Sequence, residues 1–343
     1  MFKLVDISGE ELRDFVAANH PEANFLQTPQ WGEAQRLRGA KVHYLGIAEG
    51  DPAEDSGTLL GATLAIRRDA RRGRYLEVPG GPLIDWSDQK LVEFTFVQLK
   101  SFARKHRCIF IRVRPQVVDG PQIRSVLRKN GLKPSSFHLN AEHTNILDIT
   151  RSEDELLANM RRQTRYEIRQ SLKQQIRVDF ATDEQAFKQF YEVQQETAQR
   201  QNFLAPSVKE LLAIHDAFDD SARIYRAYVD KKPITFGLVI ISGNEADYFE
   251  AASKSEARNY PTAYALQWQI IRDLKQQGIK RYNLWGIASN NDPKHRYAHV
   301  TTFKNGFGGD KVTYVPAHDL VINPLKYLPV KVLETIRKKL RHL

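Results

Sequence analysis

The spacing of apolar residues predicts alternating helices and strands in both halves of the chain. Period-2 runs bounded by turn residues predict strands, and runs with helical spacing behind capping residues predict helices. The elements predicted for the first half are a helix over residues 28–38, strands over 42–47, 59–67 and 74–78, a helix over 89–106, a strand over 108–114 and a helix over 121–130. This mixture indicates an α/β (α+β) protein.

The second half follows the same order of elements. Its predicted elements are a helix over residues 153–174, a strand over 177–181, helices over 183–201 and 207–217, strands over 222–230, 233–242 and 245–252, a helix over 261–277 and a strand over 281–284. Antiparallel strands, then a long helix, then a strand is an order that resembles the core of a GNAT-type acyltransferase. It is also a common order among α+β proteins.

The length of 343 residues favours two lobes over one core. A strand-like stretch ends near residue 149, and Ser152 with Glu155 then supplies a capping box that starts a new helix. The predicted domains are therefore residues 1–149 and 150–315, followed by a tail over 316–343.

The tail passes through three prolines before a short basic helix predicted over residues 330–343. This helix carries an apolar stripe beside basic residues; the stripe consists of Val330, Leu333, Ile336 and Leu340. We expect the helix to return to the first lobe and pack there, rather than continue the sheet. Weak contact of its basic flank with anionic lipid is the alternative.

Composition narrows the range of partners and compartments. The 51 Lys and Arg residues outnumber the 41 Asp and Glu residues, and the net charge of +10 favours polyanions such as tRNA, diphosphate-linked sugars or an anionic membrane face. A generic basic protein is the alternative. The single cysteine, Cys108, excludes a disulfide within the chain and fits a reducing compartment. No signal-peptide pattern and no stretch near the roughly 18 apolar residues of a membrane span is present, so we expect a cytoplasmic protein.

A basic stripe lies on the helix predicted over residues 153–174. Its members recur at i,i+4 positions and are Arg161, Arg165, Arg169 and Lys173. Like charges at this spacing destabilise an isolated helix by roughly 0.2–0.5 kcal/mol per pair, so the stripe favours an anionic partner such as a phosphate backbone. The alternative is a solvated face whose charges are partly paired with acidic residues of the same helix.

The segment over residues 302–309 combines a lysine, aromatic residues and glycines. Lys304 follows Phe303 and precedes three glycines that permit positive φ and a close approach of the backbone to a ligand. This pattern predicts a turn that orients Lys304 toward an oxyanion or a phosphate. A tight turn with a surface lysine is the alternative reading. The strand that ends at Gly286 marks a second place where a sheet edge can open into a site.

Other site classes lack their motifs. The sequence contains no Walker-type phosphate loop, no H-E-x-x-H helix and no G-x-S-x-G elbow. His295 and His299 form the only metal-like pair, and no carboxylate motif accompanies them, so no metal is expected. The segment before the helix over 261–277 lacks the glycine-rich turn that would hold a pyrophosphate, which disfavours coenzyme A.

Several segments together resemble the FemABX family of tRNA-dependent peptidyltransferases. They are residues 141–149 (AEHTNILDI), 160–162 (MRR), 165–169 (RYEIR), 282–287 (YNLWGI), 303–309 (FKNGFGG) and 319–324 (DLVINP). The resemblance implies two GNAT-like acyltransferase lobes with a cleft between them and no metal or organic cofactor. It implies an aminoacyl-tRNA donor and an acceptor that is lipid II or a UDP-MurNAc-peptide. Some members of this family have a long coiled-coil arm inserted within the second lobe. No sustained heptad pattern of that kind is present here, so the chain resembles the armless form of the family.

The resemblance also implies roles for individual residues. Lys304 and Phe303 are the expected catalytic residues, and the basic stripe is the expected tRNA-binding face. The expected acceptor-binding residues are Arg36, Tyr248, Glu250, Trp285 and Gly286. An alternative alignment places Gln35 where Arg36 stands.

The implied reaction is transfer of an amino acid to an amine of a peptidoglycan precursor, performed by a monomer. Two other functions stay open at this point: an N-acyltransferase with another acyl donor, and a non-catalytic scaffold that binds RNA or the cell wall through its basic surface. Peripheral contact with the inner membrane face is also open.

Overall fold

The structure, a computed structural model, describes residues 2–50, 57–71, 73–137, 141–201, 205–289 and 297–340, without the side chains of 339 and 340. The chain forms two compact units. The first comprises Met1–Glu142 with Thr313–Leu343, and the second comprises His143–Val312. Each unit contains one β-sheet with helices packed on it, which confirms the predicted α/β class.

Strands make up the two sheets. In chain order they are β1 (Phe2–Asp6), β2 (Lys41–Glu49), β3 (Thr58–Ala70), β4 (Gly73–Gly80), β5 (Leu83–Ile84), β6 (Phe110–Pro115), β7 (Leu132–Pro134), β8 (His143–Asp148), β9 (Val178–Ala181), β10 (Ala222–Val229), β11 (Lys232–Ser242), β12 (Glu245–Ser253), β13 (Arg281–Gly286), β14 (Asp310–Thr313) and β15 (His318–Val321).

Helices account for most of the remaining described residues. In chain order they are α1 (Gly9–Asn19), α2 (Pro29–Leu37), α3 (Gln89–Lys105), α4 (Pro121–Lys129), α5 (Glu153–Asn159), α6 (Arg162–Lys173), α7 (Glu184–Gln201), α8 (Val208–Phe218), α9 (Thr262–Gln276), α10 (Ala298–Asn305) and α11 (Pro324–Leu340).

The first sheet has the strand order β1-β2-β3-β4-β6-β15-β7, with β5 paired to β3. Its pairs are antiparallel except β4 with β6, which run parallel with Leu76 opposite Ile111. Phe96 and Leu99 of α3 pack on this sheet within a core of buried aliphatic residues. The apolar face of α3 thus meets the inward-facing positions of the strands, as the period-2 and helical patterns require.

The second sheet has the order β14-β8-β13-β12-β11-β10-β9, and β12 pairs with β13 in parallel. Its core includes Ile168 of α6, Leu266 and Ile270 of α9, and Tyr282 and Leu284 of β13, all buried. On this sheet, helix α9 packs mainly against β10 and β11. Its Gln267 also accepts a hydrogen bond from the Tyr282 hydroxyl of β13 at 2.8 Å.

The unit boundaries differ from the predicted ones at 149/150 and 315/316. Strand β8 lies in the second sheet because it pairs with β13, placing Tyr282 opposite Leu147. The second unit therefore begins at His143.

The prediction of a single helix over residues 153–174 is wrong. The capping box of Ser152 and Glu155 is present and starts α5, as predicted. The chain then breaks at Met160, whose φ of −76° and ψ of 151° are extended, and α6 starts after Arg161. The buried Met160 side chain enters the core at this break.

The tail also differs from its prediction. The residues after Val315 do continue the first sheet, since β15 pairs with both β6 and β7. The last helix begins at Pro324 and includes Pro329. Of its predicted apolar stripe, Val330 packs inward against the first unit, while Leu333 and Ile336 are exposed. The side chain of Leu340 lies outside the described residues.

A buried ion-pair network anchors this tail. Arg112 of β6 donates from Nε to Asp319 Oδ1 at 2.8 Å and from Nη2 to Glu334 Oε2 at 2.8 Å. Tyr327 donates its hydroxyl to Asp319 Oδ2 at 2.8 Å. Strand β15 and helix α11 are thus both fastened to β6 by one guanidinium, whose planar fork suits paired carboxylates.

Within the described ranges, none of the helices combines the length and the apolar composition that crossing a lipid bilayer requires.

Candidate active site

The parallel strands β12 and β13 separate part of the way along their length. They pair over Glu245–Asp247 and Arg281–Asn283. Beyond this point β12 continues beside β11 as far as Ser253, while Gly286 of β13 pairs with Thr144 of β8. The separation opens the sheet at the carboxyl ends of two parallel strands, which is where α/β proteins commonly place ligands.

A β-bulge and a strained residue border the opening. The register of β12 shifts between Tyr248 and Glu250, which leaves Phe249 as the extra residue. On β13, Trp285 has a φ of 59°, a conformation that is uncommon for a large side chain. The two rings meet edge to face with centroids 5.9 Å apart. Strained residues and bulges concentrate at functional sites, so both features favour a site here.

Asn283 supports the conformation of Trp285. Its Oδ1 accepts a hydrogen bond from the Trp285 amide at 2.9 Å, and its Nδ2 donates to Glu245 Oε1 at 3.1 Å. The Thr144 hydroxyl donates to the same Oδ1. A buried asparagine thus replaces the strand pairing that β13 loses at this point.

Lys304 reaches this opening from helix α10, and the predicted glycine-rich turn follows the helix at Gly306 and Phe307. The residue lies in the last turn of α10 and its side chain is buried. Its Nζ donates to the carbonyl oxygen of Gly286 at 2.8 Å. The alternative, in which Lys304 lies on the surface, is therefore wrong.

Burial controls the protonation of Lys304. The loss of hydration lowers the pKa of its ammonium group from 10.5 to about 7. Charged and neutral forms are then both populated near neutral pH, which suits a group that stabilises charge or moves a proton.

Two contacts fix the backbone around Lys304. The Asn145 side chain of β8 donates from Nδ2 to the carbonyl oxygens of Lys304 at 3.3 Å and Gly308 at 2.8 Å. The Thr301 hydroxyl accepts from the amide of Ala288 at 2.8 Å, which ties the end of β13 to α10. These contacts hold both partners of the bond between Lys304 and Gly286.

Phe303 faces a cluster of aromatic rings next to Lys304. Its ring centroid lies 5.2 Å from that of Tyr264 on α9 and 5.1 Å from that of Phe307. Burial raises the pKa of Tyr264, and a hydrogen bond with Arg161 opposes this rise. The cluster therefore joins Phe303 to the first residue of the predicted basic stripe.

The glycines after Lys304 approach the protein's own backbone. A Cβ on Gly306 would lie 2.4 Å from Thr164 Oγ1 of α6, so only glycine allows this packing. Gly309 has a φ of 84°, and a Cβ there would lie 2.6 Å from the Ile146 carbonyl oxygen. The glycine motif thus allows close packing of the segment after α10 against both β8 and α6.

The predicted acceptor-binding residues fall into different environments. Trp285 and Gly286 border the strand opening, and Glu250 is partly exposed beside Phe249, where its carboxylate accepts from Gln194 of α7. Tyr248 belongs to the hydrophobic core.

The basic stripe is only partly preserved, since Arg165, Arg169 and Lys173 lie on α6 but Arg161 does not. Arg161 precedes α6 and donates its amide to the Gly306 carbonyl at 2.9 Å. Arg165 donates from Nη1 to the carbonyl oxygens of Ala158, at 3.3 Å, and Met160, so it caps the end of α5. Arg161, Arg169 and Lys173 are exposed. The exposed part of the stripe is therefore smaller than predicted.

Arg36 lies in the first unit, on α2. Its guanidinium covers the Tyr44 ring at 4.9 Å and its Nη1 lies 3.3 Å from Glu33 Oε2. Gln35 is fully buried and accepts from Arg68 at 2.8 Å. Of the two alternative alignments, only the one at Arg36 places an exposed side chain at this position.

Sequence reasoning missed the supporting residues Asn145, Asn283 and Tyr264. Asn145 and Asn283 lie in segments that carry the family resemblance, and each is a buried amide in a strand, a position that needs hydrogen-bond partners. No group of three or more His, Cys, Asp or Glu side chains that could hold a metal occurs in the described part of the chain, and His295 lies outside it.

The depressed pKa of Lys304 predicts a pH-dependent stability. Between pH 7 and 10.5 the unfolded chain binds more protons at this group than the folded protein does, so the free energy of unfolding rises with pH. The burial penalty is fully present below pH 7 and absent above 10.5. Relative to Lys304→Met, we expect wild type to gain up to about 1.4 kcal/mol per pH unit in this window, measured by urea unfolding. Parallel stability curves for the two proteins would contradict this pKa.

Comparisons with known proteins agree with this architecture. The FemAB family model matches residues 7–122, 134–234 and 230–335. Aminoacyltransferase FemA of Staphylococcus epidermidis is 22% identical, with 98% of this chain and 100% of that protein covered, and FemA of Staphylococcus aureus is 20% identical with the same coverage.

Solved structures show the same fold. The crystal structure of FemX superposes with a TM-score of 0.83 at 18% identity, covering 96% of this chain and 100% of that one. A tandem GNAT protein from the clavulanic acid biosynthesis pathway gives 0.61 at 13% identity, covering 94% and 99%. The predicted GNAT-like architecture is confirmed. The longest helix described in the second unit is α7, with 18 residues, which agrees with the armless form. From the family model that spans most of its length, the chain belongs to the FemAB family and is an acyltransferase.

Proposed function

We propose that this protein transfers an amino acid from aminoacyl-tRNA to an amine of a peptidoglycan precursor, either lipid II or a UDP-MurNAc-peptide. The observation that carries the proposal is the buried Lys304 ammonium, held 2.8 Å from the Gly286 carbonyl where β12 and β13 separate. The named FemA aminoacyltransferases among its relatives support the reaction class.

The proposed reaction is direct aminolysis of an ester. The lone pair of the acceptor amine attacks the ester carbonyl carbon, a C–N bond forms, and the C–O bond to the tRNA ribose breaks. The amine loses one proton and the ribose oxygen gains one. Lys304 supplies positive charge near the developing oxyanion in a site with little water, where such charge acts most strongly. Since its pKa is about 7, its ammonium form can also give a proton to the leaving oxygen.

The surrounding residues support positioning. Trp285, Gly286 and Glu250 border the strand opening and are proposed to hold the acceptor, and Phe303 with its neighbouring rings forms an apolar wall beside Lys304. Arg36, on the first unit, is proposed to bind an acceptor phosphate. Tyr248 is assigned a structural role in the core instead.

The proposed donor contact is the exposed part of the basic stripe, Arg161, Arg169 and Lys173. We expect Arg169→Gln/Lys173→Gln to weaken tRNA binding and to reduce the slope of log affinity against log salt by about 1–2, because each lost phosphate contact removes roughly 0.7–0.9 of that slope. Filter binding over a salt series measures both quantities.

Lys41→Gln/Lys90→Gln is the matched control, since it removes two exposed charges from the first unit. An equal slope for wild type and the Arg169/Lys173 variant would show that this face is only solvated.

The function is tested by supplying a mixed pool of charged tRNA together with lipid II or a UDP-MurNAc-peptide, followed by mass analysis of the acceptor. The expected product gains one amino-acid residue, and treatment of the tRNA with ribonuclease abolishes the gain. Transfer that survives ribonuclease would indicate another acyl donor. Binding of tRNA without any product on either acceptor would indicate a non-catalytic RNA-binding protein.

A further inference from the structure

One face of helix α11 packs on the first unit. The Tyr327 ring lies 5.4 Å from that of Phe110, and Val330 packs against the same cluster. Glu334 receives hydrogen bonds from Arg112 and, at 3.1 Å, from Ser136. These residues recur three or four positions apart, so they define the inner face of the helix.

The outer face of α11 is apolar and exposed. Its residues also recur three or four positions apart and have exposed fractions of 88% for Leu325, 62% for Leu328, 49% for Val332 and 48% for Ile336. Leu333, at 36%, lies at its edge. Scattered single exposed apolar residues are ordinary, whereas an aligned row of aliphatic residues marks an interaction surface.

Basic residues flank this outer face on both sides. With 100° of rotation per residue, Lys326 lies along one edge and Lys331 along the other. Arg337 and Lys338 follow them, each one step further toward the inner face. The acidic residue among those described in α11 is Glu334, on the inner face and paired with Arg112. The surface that points away from the protein is therefore aliphatic in the middle and positively charged along both margins.

We propose that α11 docks the protein on an anionic lipid surface. Its aliphatic row enters the boundary between headgroups and acyl chains, and its two basic margins contact lipid phosphates, which is the arrangement of an interfacial amphipathic helix. A second copy of this chain fits less well, because pairing the outer faces of two α11 helices would bring four rows of like charge together. This inference does not depend on the proposed reaction.

Vesicle co-sedimentation of the full-length protein tests the proposal. The vesicles are phosphatidylcholine alone or phosphatidylcholine with about 30% phosphatidylglycerol, at low and high salt. We expect binding to the anionic vesicles only, weakened by salt, and reduced at least tenfold by Leu328→Ser/Val332→Ser. Val97→Ser/Val118→Ser is the matched control, since these valines are 55% and 65% exposed elsewhere in the first unit. This control should bind like wild type.

A charge variant separates the two parts of the surface. Lys326→Glu/Arg337→Glu should also lose binding, with thermal unfolding unchanged because both side chains are exposed. Failure of wild type to bind anionic vesicles at low salt would overturn the proposal. So would binding that the serine pair leaves intact, and so would a wild-type dimer that the serine pair converts to monomer, because the face would then serve self-association.

Discussion

Replacement of Lys304 by methionine is expected to lower single-turnover aminoacyl transfer by about 10²–10³, the usual effect of removing one preorganised charge from a catalytic site. The same change should leave the free energy of unfolding at pH 7 unchanged or higher. It removes a buried ammonium that desolvation disfavours and keeps most of the side-chain volume, and the carbonyl that loses its donor belongs to Gly286, a partly exposed residue. Transfer and urea unfolding are measured on the same protein preparation.

Lys275→Met is the matched control for a lysine that supports structure alone. Lys275 donates from Nζ to the carbonyl oxygens of Thr150 at 3.0 Å and Arg151 at 2.6 Å, beyond the end of β8. Its loss should reduce stability while transfer by the folded fraction stays near the wild-type level. Near-normal transfer by folded Lys304→Met would remove Lys304 from the mechanism. Equal losses of transfer and stability would make it a structural residue.

The sequence identified Lys304 but not the geometry that makes it special. The glycines after it predicted a turn, since glycine is the residue that most often ends regular structure. In the structure this turn lies at Gly306 and Phe307, so Lys304 is in the last turn of α10. The same glycines pack closely against α6 and β8. Close packing between segments far apart in sequence cannot be read from local propensity, and neither can the bond to Gly286.

Long periodic segments were predictable and irregular ones were not. Helix α3 carries a clear helical periodicity and strand β11 is a nearly continuous apolar run, and both lie where the pattern placed them. The break at Met160 had no local signal, because it is stabilised by tertiary contacts. These are the packing of Met160, the capping by Arg165 and the hydrogen bond from the Arg161 amide to the Gly306 carbonyl. Strand β15 was missed because its four residues are too short for periodicity and depend on pairing with β6 and β7.

The second large effect is expected at Arg112, where replacement by methionine should lower the free energy of unfolding by about 3–5 kcal/mol. The substitution leaves the Asp319 carboxylate fully buried with Tyr327 as its remaining side-chain donor, and leaves Glu334 without its guanidinium partner. An uncompensated buried charge is the costly part of such a change. Urea unfolding measures the loss, and Arg151→Met, which breaks an exposed pair with Asp148, should lose at most about 1 kcal/mol.

The cause can be separated from simple loss of packing by a double-mutant cycle. If the unpaired carboxylate dominates, Arg112→Met/Asp319→Leu should recover much of the stability lost by Arg112→Met, because the double variant removes both charges and leaves apolar side chains in the same volume. Additive losses in the two single variants would show instead that packing at β6 and β15 dominates. Since the same guanidinium holds Glu334 of α11, Arg112→Met should also loosen that helix, which faster amide exchange in residues 324–338 would report.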